Sequence, residues 1–249
     1  MLYPKLNSLY KREGCGPYDE TKHRYASDLE KKPRKSPLII GEYACPEFES
    51  INRWTVTEKV DGTNVRIIMN RTTENDGQPG RLSFQGRTNN AQFPCFLLDY
   101  LQKTFKYEAM AEVFKESNYT VLFGEGYGPK IQSGGYYRKD PSFILFDVFC
   151  SGWWLGREAV VEVAEQLGID SVPYMAKTHE IQARSTTKDA YIWTREEIEE
   201  HVRGQPDSII AEEDHVMEGI VARSEPVMMF RKGGQIMFKL KCTDFKGVE

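Results

Sequence analysis

One run of the sequence, Ser142 to Phe149, limits the fold more than any other. Its residues (Ser-Phe-Ile-Leu-Phe-Asp-Val-Phe) are apolar on both faces of an extended chain, which predicts a central strand that is buried on both sides. Asp147 interrupts the run, and a buried carboxylate needs a hydrogen-bonding partner. The sequence therefore predicts a sheet with this strand at its centre and a donor for Asp147.

Other segments carry strand, helix or turn patterns of their own. Further strands are predicted at Leu38–Ile40 (ended by Gly41), Leu82–Gln85, Tyr119–Phe123, Val216–Arg223, Val227–Phe230 and Gln235–Lys241, the last two joined by a hairpin at Lys232-Gly233-Gly234. Helices are predicted at Phe96–Phe105, around Met110–Phe114, at Glu158–Leu167 before Gly168, and from the capping box Thr194–Glu197 to Gly204. Thr73–Gly80 predicts a surface loop and Ser151-Gly152 a turn.

A lysine stands beside a strong turn pattern early in the chain. Trp54–Val56 and Val65–Met69 are rich in strand-forming residues, and Asp61-Gly62 between them predicts a tight hairpin in which Gly62 supplies a positive φ. Lys59 would then end the first strand. A lysine amine is a nucleophile only when unprotonated, so its pKa must fall from about 10.4. Taken alone, the pattern fits an ordinary solvated lysine at least as well.

Composition excludes some classes of protein. The 249 residues carry a net charge of -4, so nucleic acid could be held only by a local basic cluster. The basic segment at 31–35 is either a solvated loop or an arm that contacts phosphates. Five scattered cysteines without a C-x-x-C pair indicate reduced thiols, a cytoplasmic protein and no zinc site. No apolar run is long enough to cross a bilayer, and the N-terminus lacks a signal-peptide pattern.

Two further patterns have two interpretations each. Gly124-Glu125-Gly126-Tyr127-Gly128 is either a plain glycine-rich turn or a place where the backbone approaches a ligand closely. In the last strand Ile236, Phe238 and Leu240 alternate with Lys239 and Lys241, so the two lysines share a face. That face is either a soluble strand edge or a surface that meets an anion such as a phosphate chain.

Together, the motifs resemble the ordered set of the covalent nucleotidyltransferases, the superfamily of polynucleotide ligases and mRNA capping enzymes. The motifs are Glu58-Lys59-Val60-Asp61-Gly62, Phe84-Gln85-Gly86-Arg87, Phe123-Gly124-Glu125, Ile144-Leu145-Phe146-Asp147, Glu218-Gly219-Ile220-Val221 and Lys239-Leu240-Lys241. Gly62-Thr63-Asn64 resembles the RNA ligase 2-like group most, since capping enzymes usually carry arginine at the position of Asn64. Asp61 departs from that group and is similar to DNA ligases.

The resemblance implies an α+β nucleotidyltransferase fold, with antiparallel sheets around a nucleotide cleft and peripheral helices. We expect a single adenylyltransferase domain over 1–249, with its motifs at about 54–241, as either a minimal catalytic domain or a fragment cut just past its last motif. Because eight residues follow the last motif, we expect neither an OB domain nor a helical C-terminal domain. The resemblance leaves the oligomeric state open.

The resemblance also implies a reaction: ATP-dependent joining of RNA 3′-hydroxyl and 5′-phosphate ends, free or in a nicked duplex, through lysyl-AMP. Mg²⁺ or Mn²⁺ would assist. The implied roles are nucleophile (Lys59), charge neutralisation at the phosphates (Lys239, Lys241), metal binding (Glu218), ribose and adenine binding (Glu125, Phe146), further nucleotide contacts (Glu58, Gly62), and contacts with phosphate or the RNA strand (Arg87, Asn64).

Three other functions remain open from the sequence. A DNA ligase catalytic domain would use the same chemistry on another strand. A capping guanylyltransferase would use the same lysine with GTP. A binding module for nucleic-acid ends would need none of the chemistry. Such a module would have no need to keep Lys59, Glu218 and the pair of Lys239 and Lys241 together, which counts against this function.

Overall fold

The computed structural model describes residues 1–13, 18–19, 24–25, 36–71, 81–88, 91–176, 191–231 and 233–245, with the backbone alone described at 18–19 and 24–25. Three sequence predictions lie outside these residues, namely the basic segment at 31–35, the loop at Thr73–Gly80 and Lys232 of the last hairpin.

Strands and helices alternate irregularly along the chain. The strands are β1 (Asn7–Ser8), β2 (Tyr10–Arg12), β3 (Tyr18–Asp19), β4 (Arg24–Tyr25), β5 (Leu38–Tyr43), β6 (Trp54–Glu58), β7 (Thr63–Asn70), β8 (Arg81–Gly86), β9 (Tyr119–Tyr127), β10 (Ser142–Cys150), β11 (Trp153–Trp154), β12 (Asp170–Ser171), β13 (Ile192–Trp193), β14 (Gly219–Ser224) and β15 (Met237–Lys241). The helices are α1 (Pro46–Ser50), α2 (Cys95–Thr104), α3 (Tyr107–Val113), α4 (Arg157–Leu167) and α5 (Arg195–Arg203), with 3₁₀ turns at Gly134–Tyr136 and Cys242–Asp244.

The chain divides into two compact units, each with its own sheet. The first unit comprises Met1–Pro4, Val60–Pro173 and Asp207–Val216, and the second comprises Lys5–Lys59, Tyr174–Pro206 and Met217–Glu249. The predicted α+β class with mainly antiparallel sheets is confirmed. The single adenylyltransferase domain stays a prediction.

The sheet of the first unit has the strand order β11-β10-β9-β7-β8, with β12 paired to β10. The predicted central strand is confirmed as β10, which pairs with β9 on one side and with β11 and β12 on the other. Helices α2, α3 and α4 cover one face of this sheet, through a core that includes Val65, Leu97, Leu145 and Val160. Asp147 has the donor it needs, because the Tyr3 hydroxyl donates to its Oδ2.

Gly124 to Tyr127 of the glycine-rich stretch lie inside β9, so the interpretation as a plain turn is wrong there, while Gly128, at φ 125°, follows the strand. A Cβ on Gly124 would lie 2.1 Å from Cζ of Phe143, and one on Gly126 would lie 2.8 Å from Cδ2 of Leu97. The two glycines therefore leave room for core side chains on either side of Glu125, and the strand continues through them.

The sheet of the second unit has the order β1-β15-β14-β6-β13. Its core is aromatic, with the rings of Trp54 and Phe238 at 4.7 Å, and α5 adds Ile198 and Val202 to the same core. The predicted capping box at Thr194 is present and begins α5. In the first unit, α4 ends at a left-handed Gly168, also as predicted.

The hairpin predicted at Asp61-Gly62 is wrong. β6 pairs with β13 and β14 in the second unit, whereas β7 pairs with β8 and β9 in the first. The φ of Gly62 lies outside the left-handed region, and a Cβ there would lie 2.4 Å from the carbonyl oxygen of Gly126. Burial of each strand in a separate core outweighs the local preference of Asp-Gly for a hairpin, so Gly62 serves close packing instead.

Other predicted strands also differ from the structure, and β15 begins at Met237 rather than at Gln235. β5 continues through Gly41, at φ 89°, because its far end pairs with β2. β14 begins only at Gly219, since Met217 donates instead to the carbonyl of Pro206. Residues 227–230 form a single bridge, between Met229 and Gln235, rather than a strand, although the predicted turn at Gly233-Gly234 is present with both φ angles positive.

Within the described ranges, no helix is long and apolar enough to cross a lipid bilayer. Four cysteines fall in these ranges, and each is a free thiol: Cys45, Cys95, Cys150 and Cys242.

Candidate active site

Lys59 directly follows the last residue of β6, as the sequence predicts. Its backbone N–H donates to the carbonyl of Gly219 at 2.9 Å, which extends the pairing of β6 with β14. Its Nζ forms a charged hydrogen bond with Oε2 of Glu218. With 23% of its side chain exposed, Lys59 is held by backbone and carboxylate but can still be reached from solvent.

The carboxylate of Glu218 holds two lysines at once. Its Oε1 accepts a hydrogen bond from Nζ of Lys241, while its Oε2 accepts the one from Lys59. The Glu218 side chain is 11% exposed, and its backbone carbonyl accepts the N–H of Cys242 at 3.0 Å. Two ammonium groups thus share one carboxylate, and the cluster of three carries an excess positive charge that suits a phosphate.

The pairing of β14 with β15 builds this cluster, which we call the lysine cluster (Lys59, Glu218 and Lys241). Gly219 lies opposite Lys241 and Val221 opposite Lys239, so Glu218 comes next to the end of β15. Lys239 shares the face of Lys241, while Phe238 and Leu240 are fully buried on the other face, as predicted. The alternative of a soluble sheet edge is wrong, because β15 lies between β1 and β14.

Glu58 lies on the other side of the same sheet. It shares a face of β6 with Trp54 and Val56, both of which belong to the core, and it is only 2% exposed. The structure therefore does not bring the Glu58 side chain to the lysine cluster, and its nucleotide contact stays a prediction.

The first unit places the predicted nucleoside residues together on one face of its sheet, the face opposite α2, α3 and α4. Asn64 lies opposite Glu125, which in turn lies opposite Ile144, so the three side chains form a row across β7, β9 and β10. Oδ1 of Asn64 is buried and has no hydrogen-bond partner among the described residues. An amide and a carboxylate on one face can recognise hydroxyl groups.

Phe146 stands at a β-bulge. Leu145 pairs with Gly124 and Asp147 with Phe123, the residue before it, so the register shifts between them and Phe146 is the extra residue. Its ring is partly buried and packs against the residues of this same face. Bulges often re-aim a side chain next to an active site, and sequence patterns do not reveal them.

Gly62 and Arg87 complete the predicted set. A Cβ on Gly62 would lie 3.0 Å from Cγ of Glu125, so this glycine borders the row that Glu125 occupies. Arg87 directly follows β8 and is exposed to solvent. Asp61 accepts a hydrogen bond from the backbone N–H of Ser133 at 3.3 Å.

Comparison with models of known families identifies the family of this chain. The family model described as RNA ligase matches residues 52–241, which is most of the chain and includes the lysine cluster. The chain belongs to the RNA ligase family. The predicted resemblance to RNA ligases is confirmed at the level of this family. No curated protein matches the chain significantly.

Solved structures of an RNA ligase from Naegleria gruberi share the fold. A variant with ATP and Mn gives a TM-score of 0.53 at 16% identity, covering 98% of this chain and 63% of that one. A variant with AMP and Mn gives 0.51 at 17%, with 96% and 61% covered. An apo variant gives 0.52 at 17%, with 82% and 54% covered. This member of the RNA ligase family thus spans about half to two thirds of the length of those chains.

Sequence reasoning misses one residue near the predicted set, Tyr3. Its hydroxyl binds Asp147, and its ring packs against Phe146. The buried Asp147 indicated that a donor was needed, but nothing in the sequence pattern indicated which part of the chain would supply it.

Proposed function

We propose that this chain is an ATP-dependent RNA ligase that joins 3′-hydroxyl and 5′-phosphate ends through a covalent lysyl-AMP. One observation carries the proposal: Lys59, at the end of β6, shares the carboxylate of Glu218 with Lys241. A nucleophile, a carboxylate and a second cation in one cluster meet the needs of nucleotidyl transfer. A role in RNA repair in the cytoplasm belongs to the same proposal.

The proposed reaction has three steps. Nζ of Lys59 forms a bond to the α-phosphorus of ATP as the bond to the bridging oxygen breaks, and pyrophosphate leaves. The 5′-phosphate of RNA then displaces Lys59 and takes the AMP. Finally the 3′-hydroxyl attacks that phosphate, AMP leaves, and the strand is sealed. In-line attack requires the leaving phosphates to be neutralised, and Lys241 and Lys239 supply positive charge from one strand face.

Glu218 orients Lys59 and has to release it. The charged hydrogen bond directs the Lys59 amine along one line, but the amine attacks only after it has lost a proton and turned away from the carboxylate. Lys241 lies on the other oxygen of Glu218, so the carboxylate does not lose all its charge compensation when Lys59 leaves it.

A divalent cation would be held by the Glu218 carboxylate once Lys59 has turned away from Oε2, because both oxygens otherwise accept hydrogen bonds from lysines. Among the described residues no group of three or more His, Cys, Asp or Glu side chains gathers around one point. Mg²⁺ commonly takes one or two carboxylates and completes its shell with water and substrate phosphates, which suits such a site. When bound, it would offset charge on the phosphates, and Mn²⁺ has the same oxygen preference.

The face of the first unit supplies the proposed recognition of the nucleoside and the RNA. Glu125 accepts hydrogen bonds from ribose hydroxyls, and the Phe146 ring stacks on adenine. Gly62 allows close packing beside Glu125. Asn64, with its unpartnered Oδ1, is assigned to the 3′-hydroxyl end, and the exposed Arg87 to phosphate or the RNA strand.

The test is transfer of label from nucleotide to protein. Purified chain is incubated with Mg²⁺ and with ATP or GTP labelled at the α-phosphate, then run on a denaturing gel. We expect label from ATP, none in Lys59→Ala, and full label in the matched control Lys11→Ala, whose lysine forms an exposed ion pair with Glu42. Label from GTP alone would indicate a capping enzyme. Absence of label from both nucleotides would favour the alternative that the chain is a binding module for nucleic-acid ends.

The type of strand is tested next. The adenylylated chain is offered a nicked duplex and free ends, each with RNA or DNA on the 3′-hydroxyl side. Sealing that requires RNA at the 3′-hydroxyl supports the proposal, whereas equal or better sealing with DNA there would favour a DNA ligase domain.

A further inference from the structure

Tyr3 touches two consecutive residues of β10 through two different parts of its side chain. Its hydroxyl donates to Oδ2 of Asp147, and its ring meets that of Phe146 edge to face, with centroids 5.0 Å apart and planes at 69°. The same ring lies 5.1 Å from Phe123 and 5.9 Å from Trp154. Tyr3 is thus fixed in a small aromatic cluster rather than resting loosely on the surface.

The backbone beside Tyr3 is anchored independently. Arg66, a residue of β7 that is 1% exposed, donates from Nη1 to the carbonyl of Met1 at 2.6 Å and from Nε to the carbonyl of Gly86 at 2.8 Å. Burial lowers the pKa of Arg66, yet both hydrogen bonds go to fixed backbone oxygens. The Met1–Pro4 segment is therefore tied to the first unit by Arg66, by Tyr3 and by the N-terminal ammonium group of Met1, which donates to the Tyr119 hydroxyl at 3.0 Å.

Because of the bulge, the orientation of the Phe146 ring depends on these contacts. As the extra residue of the bulge, Phe146 has no opposite residue in β9. Strand pairing therefore fixes the direction of the Phe146 side chain less than it fixes the side chains of Leu145 and Asp147. Contacts with other side chains have to fix the ring instead. Tyr3 supplies two of them, one to the ring itself and one to the carboxylate of the next residue.

We propose that Tyr3 is a positioning residue, which fixes the Phe146 ring in the orientation that stacks on the adenine of ATP. The proposal rests on the function proposed above, because it needs Phe146 to meet the base. It gives the Met1–Pro4 segment a part in nucleotide binding that acts through Phe146 rather than through contact with ATP.

The proposal separates binding of the base from binding of the phosphates. Tyr3→Ala removes the edge-to-face contact and the hydrogen bond to Asp147, and it should weaken ATP binding roughly tenfold, the scale of one well-placed aromatic contact. Pyrophosphate has no base, so its binding should stay within about twofold. Tyr3→Phe keeps the ring and should recover most of the affinity for ATP.

The experiment measures ATP and pyrophosphate binding by calorimetry in chains that also carry Lys59→Ala, so that no lysyl-AMP forms. The variants are Tyr3→Ala, Tyr3→Phe, Phe146→Ala and the double variant of Tyr3→Ala with Phe146→Ala. Tyr10→Phe is the control, because the Tyr10 hydroxyl also donates to a carboxylate, that of Glu199, but in the second unit. We expect Tyr3→Ala to add no further loss once Phe146 is alanine.

Three outcomes would overturn the proposal. They are equal weakening of ATP and pyrophosphate by Tyr3→Ala, an undiminished effect of Tyr3→Ala in the Phe146→Ala chain, and no ATP binding by the Lys59→Ala chain itself. Failure of the proposed ligase function looks different: the Lys59→Ala chain would bind ATP with the expected dependence on Tyr3, while the wild-type chain formed no lysyl-AMP.

Discussion

Replacing Gly219 by alanine should disrupt the lysine cluster without altering any of its side chains. Gly219 follows Glu218, accepts the backbone N–H of Lys59 at 2.9 Å, and lies opposite Lys241. A Cβ at this position would lie 2.1 Å from the carbonyl oxygen of Leu240 and 2.6 Å from Cα of Lys241. Both atoms belong to the backbone of β15, so no change of side-chain rotamer can relieve the overlap.

The size of the effect follows from this geometry. To bring the closest contact above 3.0 Å, the two strands must separate locally by about 1 Å. Overpacking of a buried site costs about 1–3 kcal/mol, and the φ of +156° adds roughly 1 kcal/mol for a residue with a side chain. We therefore expect the free energy of unfolding to fall by about 3 kcal/mol and Tm to fall by about 6–12 °C.

The same shift should act on catalysis. A displacement of about 1 Å in a catalytic group can cost roughly 100-fold in rate, and Gly219→Ala moves Glu218 relative to both lysines. Lysyl-AMP formation with labelled ATP, measured well below Tm, should therefore slow by about that factor.

The control is Gly135→Ala, where the new Cβ would lie 3.6 Å from Cα of Pro129, an ordinary contact. That variant should keep its stability within about 1 kcal/mol and its rate unchanged. A Gly219→Ala chain with the Tm and rate of the wild type would refute the reasoning, because it would mean that β14 and β15 are not in close contact at this point.

Three more predictions concern other residues. Asn64→Ala should spare AMP transfer to Lys59 more than it spares sealing, measured as label on protein and as ligated strand; equal loss of both would contradict the assignment. Glu218→Gln and Lys241→Met should be coupled by about 1–2 kcal/mol in a double-mutant cycle of unfolding, between the values of exposed and buried pairs. Additive effects would count against a shared carboxylate. Burial, then the hydrogen bond to Glu199, raises the pKa of Tyr10 above its ordinary 10.0. The stability that wild type gains over Tyr10→Phe in urea titrations should therefore be constant below pH 10 and shrink above it; a difference independent of pH would argue against the raised pKa.

Features that depend on neighbouring residues in the chain could be predicted from the sequence. The capping box of Thr194 and Glu197 involves residues three apart, and the structure contains both of its hydrogen bonds. The shared face of Lys239 and Lys241 follows from the alternation of a single strand. The chemistry of the lysine cluster could likewise be anticipated, because the types of residue and their order along the chain resemble the family.

Features that depend on distant pairing could not be predicted. Asp61-Gly62 has the composition of a hairpin turn, but β6 pairs with β14 of the second unit, far along the chain, while β7 pairs with β8 and β9 of the first unit. The bulge at Phe146 arises from the register between β9 and β10, which leaves no trace in the apolar pattern of Ser142–Phe149. Tyr3 binds a residue 144 positions away, a contact that no local pattern encodes.

The lysine cluster depends both on local strand patterns and on distant strand pairing. Its charge explains how the Glu218 carboxylate can act in several steps of the proposed reaction. Glu218 lies 159 residues from Lys59 in the chain, and the pairing of β6 with β14 brings them together. In the proposed reaction Lys59 loses its positive charge when it becomes a phosphoramide, whereas Lys241 keeps its own. Glu218 then faces one ammonium group of the cluster instead of two. The carboxylate therefore gains the capacity to bind another cation at the stage when AMP has to leave the lysine, and it recovers Lys59 as a partner once AMP has gone.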